Sequence, residues 1–208
     1  MRSLIIVVVA FFVVALAVHS SAQVYGFGPC PDVHPVDDFD ADRYAGQWYE
    51  IARFYDSVEK GLKCVAMDYT VMDGYLLSNS TGMDTEDRVY SHVVKIYNVS
   101  TWNIGIFYYD SDSPSTYWLT FVDYHRYSIN YFCEEFLGRR INVQYVWIFA
   151  RDRVMSKRDY DDALLRLNSM GIDTTKLKKS EQRNCPDDQS LSWDVYHIIL
   201  IKLLEAYL

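Results

Sequence analysis

Positive charge is in short supply in this chain. Its 20 lysines and arginines are outnumbered by 28 aspartates and glutamates, for a formal charge of −8, and no basic run occurs. An acidic surface repels nucleic acid and anionic lipid and favours solubility, so nucleic acid is excluded as a partner. Cysteine is sparse too. The four residues are spaced long and irregularly with no C-x-x-C, which argues against a metal site. His34, His92, His125 and His197 fall in unrelated segments, and none joins a Ser or Cys in a nucleophile motif. Asp37-Asp38 and Asp161-Asp162 read as solvated turn and helix-start acids. The longest apolar run, Leu4 to Val18, is too short to span a membrane and lacks a stop-transfer flank. No internal repeat or linker divides the chain. These absences leave no catalytic residues, no metal and no cofactor to assign.

The apolar run has another use. Arg2 precedes it, and Ser20-Ser21-Ala22 follows with small residues, the pattern of a secretory signal peptide over 1–22. Cleavage there leaves Gln23 first, takes His19 away, and makes the charge one unit more negative through loss of Arg2. Four cysteines in an exported chain read as two disulfides in one of three pairings. Asn79-Ser80-Thr81 and Asn98-Val99-Ser100 are glycosylation sequons, which makes Asn79 and Asn98 candidate carbohydrate sites and agrees with an extracellular destination.

Aromatic residues are abundant, with 18 Tyr, 10 Phe and 5 Trp spread along segments of alternating character. Alternation is the strand signature. It predicts strands over Gly46–Phe54, Leu62–Val71, Tyr75–Ser78, Val89–Val99, Trp102–Tyr109, Tyr117–Val122, Tyr127–Phe136 and Ile141–Ala150. Asp73-Gly74 marks a hairpin, while Ser80 to Arg88, Asp110 to Ser115 and Gly138-Arg139-Arg140 read as breaks. Eight evenly spaced antiparallel strands point to a sandwich or an up-and-down barrel. In the last of them, Tyr145, Trp147 and Phe149 share one face and Gln144, Val146, Ile148 and Ala150 the other. Both faces are largely apolar, so both need cover. A barrel with an apolar interior and a helix on its outer wall meets that need. The helix follows: Ser156 caps it, Gly171 ends it, and Tyr160, Ala163, Leu164 and Leu167 form its apolar stripe, expected over Val146 and Ile148. The domain is thus 23–186, all-β: an eight-stranded antiparallel up-and-down barrel with one α-helix packed outside. Residues 187–208 form a separate tail. From Leu191 to Leu208 it reads as an amphipathic helix, expected to dock on the barrel or to rest at a lipoprotein or membrane surface.

Three motifs then resemble a known family. Phe39 to Glu50, with Gly46 and Trp48 forming G-x-W, is similar to the first lipocalin signature. Val122-Asp123-Tyr124 resembles the second, with Val where Thr is usual, and Trp147 to Arg151 the third. Cys30-Pro31, Tyr127 to Cys133 and Asn184-Cys185-Pro186 are similar to the subgroup of apolipoprotein D, lazarillo proteins and insect bilin-binding proteins. The resemblance runs from Cys30 to Pro186. It implies a lipocalin barrel with Trp48 and Arg151 meeting at its closed end, Asp123 and Tyr124 as structural signature residues, and bridges Cys30–Cys133 and Cys64–Cys185.

It also implies a transport role. An eight-stranded barrel is wide enough for one small ligand. Placing Arg151 across the floor turns Tyr145, Trp147 and Phe149 inward, and the same logic turns in Met67, Tyr69, Tyr117, Leu119 and Tyr131. Trp147, Tyr69, Tyr117 and Tyr131 match positions that line the pocket in this subgroup. Such a lining suits an apolar guest with a polar handle: a fatty acid, sterol, retinoid or bilin, carried rather than held as a cofactor. Aromatic stripes also fill closed cores, which is the competing reading. A lazarillo-like, membrane-associated or lipid-anchored interaction protein is the alternative function. Peptide mapping of the unreduced protein should find Cys30 joined to Cys133, and a Cys30–Cys64 peptide would refute the implied pairing.

Overall fold

The computed structural model describes residues 23–54, 61–99, 104–110 and 115–186. The predicted leader and tail therefore lie outside the described residues, as do residues 55–60, 100–103 and 111–114. Ten strands form one sheet: β1 (Val24–Phe27), β2 (Gly46–Arg53), β3 (Lys63–Met72), β4 (Tyr75–Met83), β5 (Val89–Asn98), β6 (Ile106–Asp110), β7 (Thr116–Asp123), β8 (Tyr127–Phe136), β9 (Ile141–Ala150) and β10 (Lys178–Lys179). A short helix, α1 (Ala41–Tyr44), enters β2, and the main helix, α2 (Lys157–Ser169), follows β9. From β2 to β9 each strand bonds to the next, and β9 pairs back onto β2 from Tyr49↔Ala150 to Arg53↔Trp147. That last pairing closes the eight-stranded barrel. A closed sheet has no exposed edge to recruit another chain.

Alternation works as expected on most strands. On β9, Val146, Ile148 and Ala150 pack outward with Ala163 and Leu167 of α2, while Trp147 and Phe149 join the interior cluster. The helix is set by its ends. The Ser156 hydroxyl accepts from the Asp159 amide at 3.1 Å, and Gly171, at φ +77°, reverses the chain. The Ile172 and Gly171 amides donate to the Leu167 and Asn168 carbonyls at 3.0 Å each, and Ile172 buries against the same core as Leu167. This is a Schellman stop with its apolar contact.

The structure differs from or adds to the sequence reading at three places. Strand β4 continues to Met83 through residues that read as a break. Ser80, Thr81 and Met83 pair on both sides, with β3 and with β5, and Gly82 with β5, and ladder bonds from two neighbours outweigh weak strand propensity. Strand β6 is described from Ile106; its expected start at Trp102 lies outside the described residues, and just before Ile106 the chain is claimed by another contact. The Gly105 amide donates to the Val36 carbonyl and the Val36 amide to the Leu119 carbonyl, both at 2.8 Å. A Cβ on Gly105 would meet Val36 at 2.7 Å, so only glycine lets the N-terminal segment cross here. Finally, β1, β10 and α1 carried no periodic signal. β1 extends β9 past the end of β2, and β10 lies along β2 where that strand parts from β3.

The two bridges are Cys30–Cys133 and Cys64–Cys185, spanning 103 and 121 residues. Loops of that length are worth about 4–5 kcal/mol each in the chain-entropy model. The second pins the segment after α2 into the β2–β3 seam. There the Gln182 amide donates to the Glu50 and Val65 carbonyls at 2.9 and 2.8 Å, joining two strands that no longer bond to each other.

Helix α2 is also held by polar contacts. The Tyr127 hydroxyl, on the barrel wall, donates to the Asp162 carboxylate, and Arg166 bonds both. Burial, then the hydrogen bond to Asp162, raises the Tyr127 hydroxyl from 10.0 to about 12. A raised acid constant favours the neutral form in the folded state. The contribution is therefore whole below pH 10 and is lost as pH climbs towards 12. Tyr127→Phe should lower stability by about 1 kcal/mol at neutral pH. It should also make the fall of Tm between pH 10 and 12 shallower than in the wild type, and parallel curves would remove Tyr127 from the helix contact.

Candidate ligand-binding site

The closed end of the barrel is built around one guanidinium. Gly46, at φ +85°, turns the chain from α1 into β2 and brings the carbonyls of 43–47 to the barrel's end. Arg151 donates to the carbonyls of Arg43, Ala45, Gln47 and Tyr124 at 2.8–3.0 Å and of Tyr44 at 3.3 Å. Its plane lies 3.8 Å from the Trp48 ring centroid, a contact worth ~0.5–2 kcal/mol according to desolvation. Trp48 is fully buried and donates its own N–H to the Tyr44 carbonyl at 2.8 Å. The Tyr124 hydroxyl accepts from the Asp40 amide at 2.9 Å, and the Asp123 carboxylate accepts from the His125 amide at 3.0 Å to hold the β7–β8 turn. Gly46, Trp48, Asp123, Tyr124 and Arg151 thus come together at this end of the barrel.

Above this base sits a plug of rings. Tyr44 lies 5.0 Å from both Trp48 and Tyr69, Phe39 4.8 Å from Phe107, and Tyr117 5.2 Å from Phe107. Ile96, Leu76, Leu119 and Phe149 complete a dry lower half. Higher up the character changes. Trp147, Tyr145, Phe132, Tyr109 and Val94 belong to inward-facing positions yet are only half-buried. Their rings form a wall: Tyr145 stacks on Trp147 at 6.0 Å and on Phe132 at 5.3 Å. Inward side chains that keep accessible surface are packed less completely, so the upper barrel is less tightly filled than the ring plug below it.

The junction of the two halves is polar. Ser128 is opposite Phe149, and Asn130 opposite Trp147, which places both on the inner face; both are buried with the Tyr44 hydroxyl. Burial holds the Tyr44, Tyr69 and Tyr117 hydroxyls above their ordinary range, so this layer is uncharged at physiological pH. Glu50 and Arg53 also face inward, across from Phe149 and Trp147. They form an ion pair at the β2–β3 seam, and the Ser180 hydroxyl donates to the Glu50 carboxylate.

The predicted lining divides accordingly. Met67, Tyr69, Tyr117 and Phe149 lie inside, in or near the plug, and Tyr145 and Trp147 stand on the upper wall. Tyr131 does not join them. It pairs with Val146 across β8–β9 and packs in the outer cluster under α2. Cross-strand partners share a face, so a residue opposite outward Val146 must point outward. Phe132, opposite Tyr145, takes the inward place. Sequence reasoning also missed Ser128, Asn130, Tyr44, Phe107 and Ile96. Counting β8 in register against β9 would have found the first two, since Trp147 and Phe149 were already turned inward. Asn79 points outward from β4, its carboxamide accepting from the Ser91 hydroxyl at 3.0 Å. The Asn98 amide nitrogen donates to the Ile104 carbonyl at 3.0 Å.

A family model described as a lipocalin-like domain matches residues 39–182. Apolipoprotein D of Mus musculus is 29% identical over 172 residues, covering 81% of this chain and 90% of the relative. Bilin-binding protein of Pieris brassicae is 31% identical over 182 residues, covering 81% and 92%. Among solved structures, insecticyanin of the tobacco hornworm Manduca sexta shares the fold at a TM-score of 0.68 with 22% identity, covering 76% of this chain and 89% of that one. Apocrustacyanin C1 does so at 0.68 with 20% identity, covering 81% and 97%.

Because five carbonyls depend on one planar fork, Arg151→Lys should destabilise the barrel by about 2–3 kcal/mol in denaturant unfolding. An unchanged midpoint would show that Arg151 is dispensable to the closed end.

Proposed function

The chain belongs to the lipocalin family, and from that membership we propose that it carries one elongated apolar small molecule in the upper half of its barrel. The family places it among binding proteins, not enzymes, and its four cysteines are all bridged. One observation carries the reading: the half-exposed inner wall of Trp147, Tyr145 and Phe132 above a filled floor. A carrier needs apolar surface that faces inward and is not consumed by its own packing. The guest is a fatty acid, sterol, retinoid or bilin. A relative named for binding bilin supports the last of these. No cofactor is required, and no metal.

The protein is exported in this reading. The leader pattern at 1–22 and two long-range disulfides support an oxidising compartment. The folded unit is 23–186, with 187–208 as a tail whose association with lipoprotein or membrane would be a separate property. Of the two sequons, Asn79 is the better carbohydrate acceptor, since the nitrogen that a glycan would occupy on Asn98 is already bonded.

Retinol fluorescence on titration with the purified protein tests the site. Trp147→Ala should weaken binding by about tenfold or more while near-UV circular dichroism stays that of a folded barrel. Tyr131→Leu, on the outer face, should leave affinity where it was. Equal affinity in Trp147→Ala would move the site out of the barrel.

A further inference from the structure

The layer between plug and upper wall holds more polar groups than its own packing answers. Tyr44, Ser128 and Asn130 are 1%, 0% and 4% exposed. The Tyr44 hydroxyl, the Ser128 hydroxyl and the Asn130 side-chain carbonyl oxygen each lack a hydrogen-bond partner. They are neighbours: the Ser128, Asn130 and Tyr69 side chains lie within hydrogen-bonding reach of the Tyr44 hydroxyl but short of the geometry of a formed bond. A buried polar group without a partner is costly, and folded proteins keep few of them. Three such groups gathered on the inner face beside Trp147, with no accessible surface of their own, point to something that answers them when the wall above yields to it.

The chemistry of that something can be narrowed. The Asn130 oxygen accepts only, while the two hydroxyls can both donate and accept. Among the described residues no bond joins a cation to the side chains of the layer, although the Arg151 charge is felt at the Tyr44 hydroxyl from below. Arg151 spends its donors on five carbonyls beneath it, and Arg53 is held by Glu50. A carboxylate driven down here would lose its water and gain no directly bonded cation in exchange. A hydroxyl would donate to Asn130 and accept from Tyr44 or Ser128.

We propose that Tyr44, Ser128 and Asn130 form a seat for the uncharged, oxygen-bearing end of the guest, an alcohol first and a carbonyl second. The guest then stands head down, its apolar body against Trp147, Tyr145 and Phe132. This deepens the carrier reading and rests on it: it selects alcohols over the corresponding acids.

Matched pairs test it. Retinol against retinoate, and hexadecanol against palmitate, are titrated at neutral pH into the delipidated whole chain by displacement of an apolar fluorescent probe. The alcohol of each pair should bind about tenfold or more tightly than its carboxylate. Ser128→Ala with Asn130→Leu should weaken the alcohol by about tenfold and leave the carboxylate nearly unchanged, erasing the preference. Should that pair fail to fold, Tyr44→Phe, which removes one oxygen and keeps the ring, should cut the preference by itself. Carboxylates binding as well as alcohols, or an alcohol affinity untouched in folded variants, would overturn the seat. If Trp147→Ala still weakens binding in that case, the carrier reading stands alone. A wild-type chain that takes up none of the four overturns both.

Discussion

The barrel depends on a guanidinium. A closed sheet removes its edges but not its ends, and at the lower end five backbone carbonyls from two distant segments turn towards one another. Buried carbonyls need donors. Arg151 brings five N–H groups in a rigid plane, and the face of that plane covers the Trp48 indole. One side chain thereby satisfies the turn before β2, the turn after β7 and the largest buried ring. Lysine offers a point charge without the plane or the reach. With that end sealed, the sheet above can be left open.

The rest of the architecture distributes stability around the upper barrel. A barrel whose upper half is less tightly filled forgoes some of the core contacts that a solid domain would have there. Compensation comes from below and from outside. The lower half is packed with rings to complete burial, α2 buries Ala163 and Leu167 on the outer wall, and two bridges tie the segments that lead in and out. Where β2 and β3 separate, the last described segment fills the seam with a side-chain amide and a short strand. The upper inner wall is therefore held by contacts made elsewhere, and its aromatic surface stays available to a guest.

Most of this was legible residue by residue, and the exceptions have reasons. Alternation along β9 gave both faces correctly because every position from Gln144 to Ala150 is apolar or nearly so and regular in phase. Ser156 and Gly171 bounded α2 because capping is local chemistry. Tyr131 was misread because its own strand, β8, is amphipathic on neither face: Tyr131 and Phe132 are both large and aromatic, and composition cannot say which turns inward. Only the pairing Tyr131↔Val146 decides it. Ser128 and Asn130 were passed over for the opposite reason. Polar residues in a strand read as solvent-facing, and here they are the floor.

What the chain's order of residues determined alone was the local and the repetitive: eight alternating strands, a capped helix, and the G-x-W and terminal Arg that mark the barrel's closed end. Those features arise from interactions within a few positions, or from motifs short enough to recognise intact. Tertiary structure alone decided the cross-strand register, the seam at β2–β3, and the meeting of Tyr44, Ser128 and Asn130. These residues come from different turns of the chain, 84 or more positions apart between Tyr44 and β8, and nothing local distinguishes a polar side chain aimed at water from one aimed at a cavity. The direction is set by which strand lies opposite, and that is fixed only when the sheet closes.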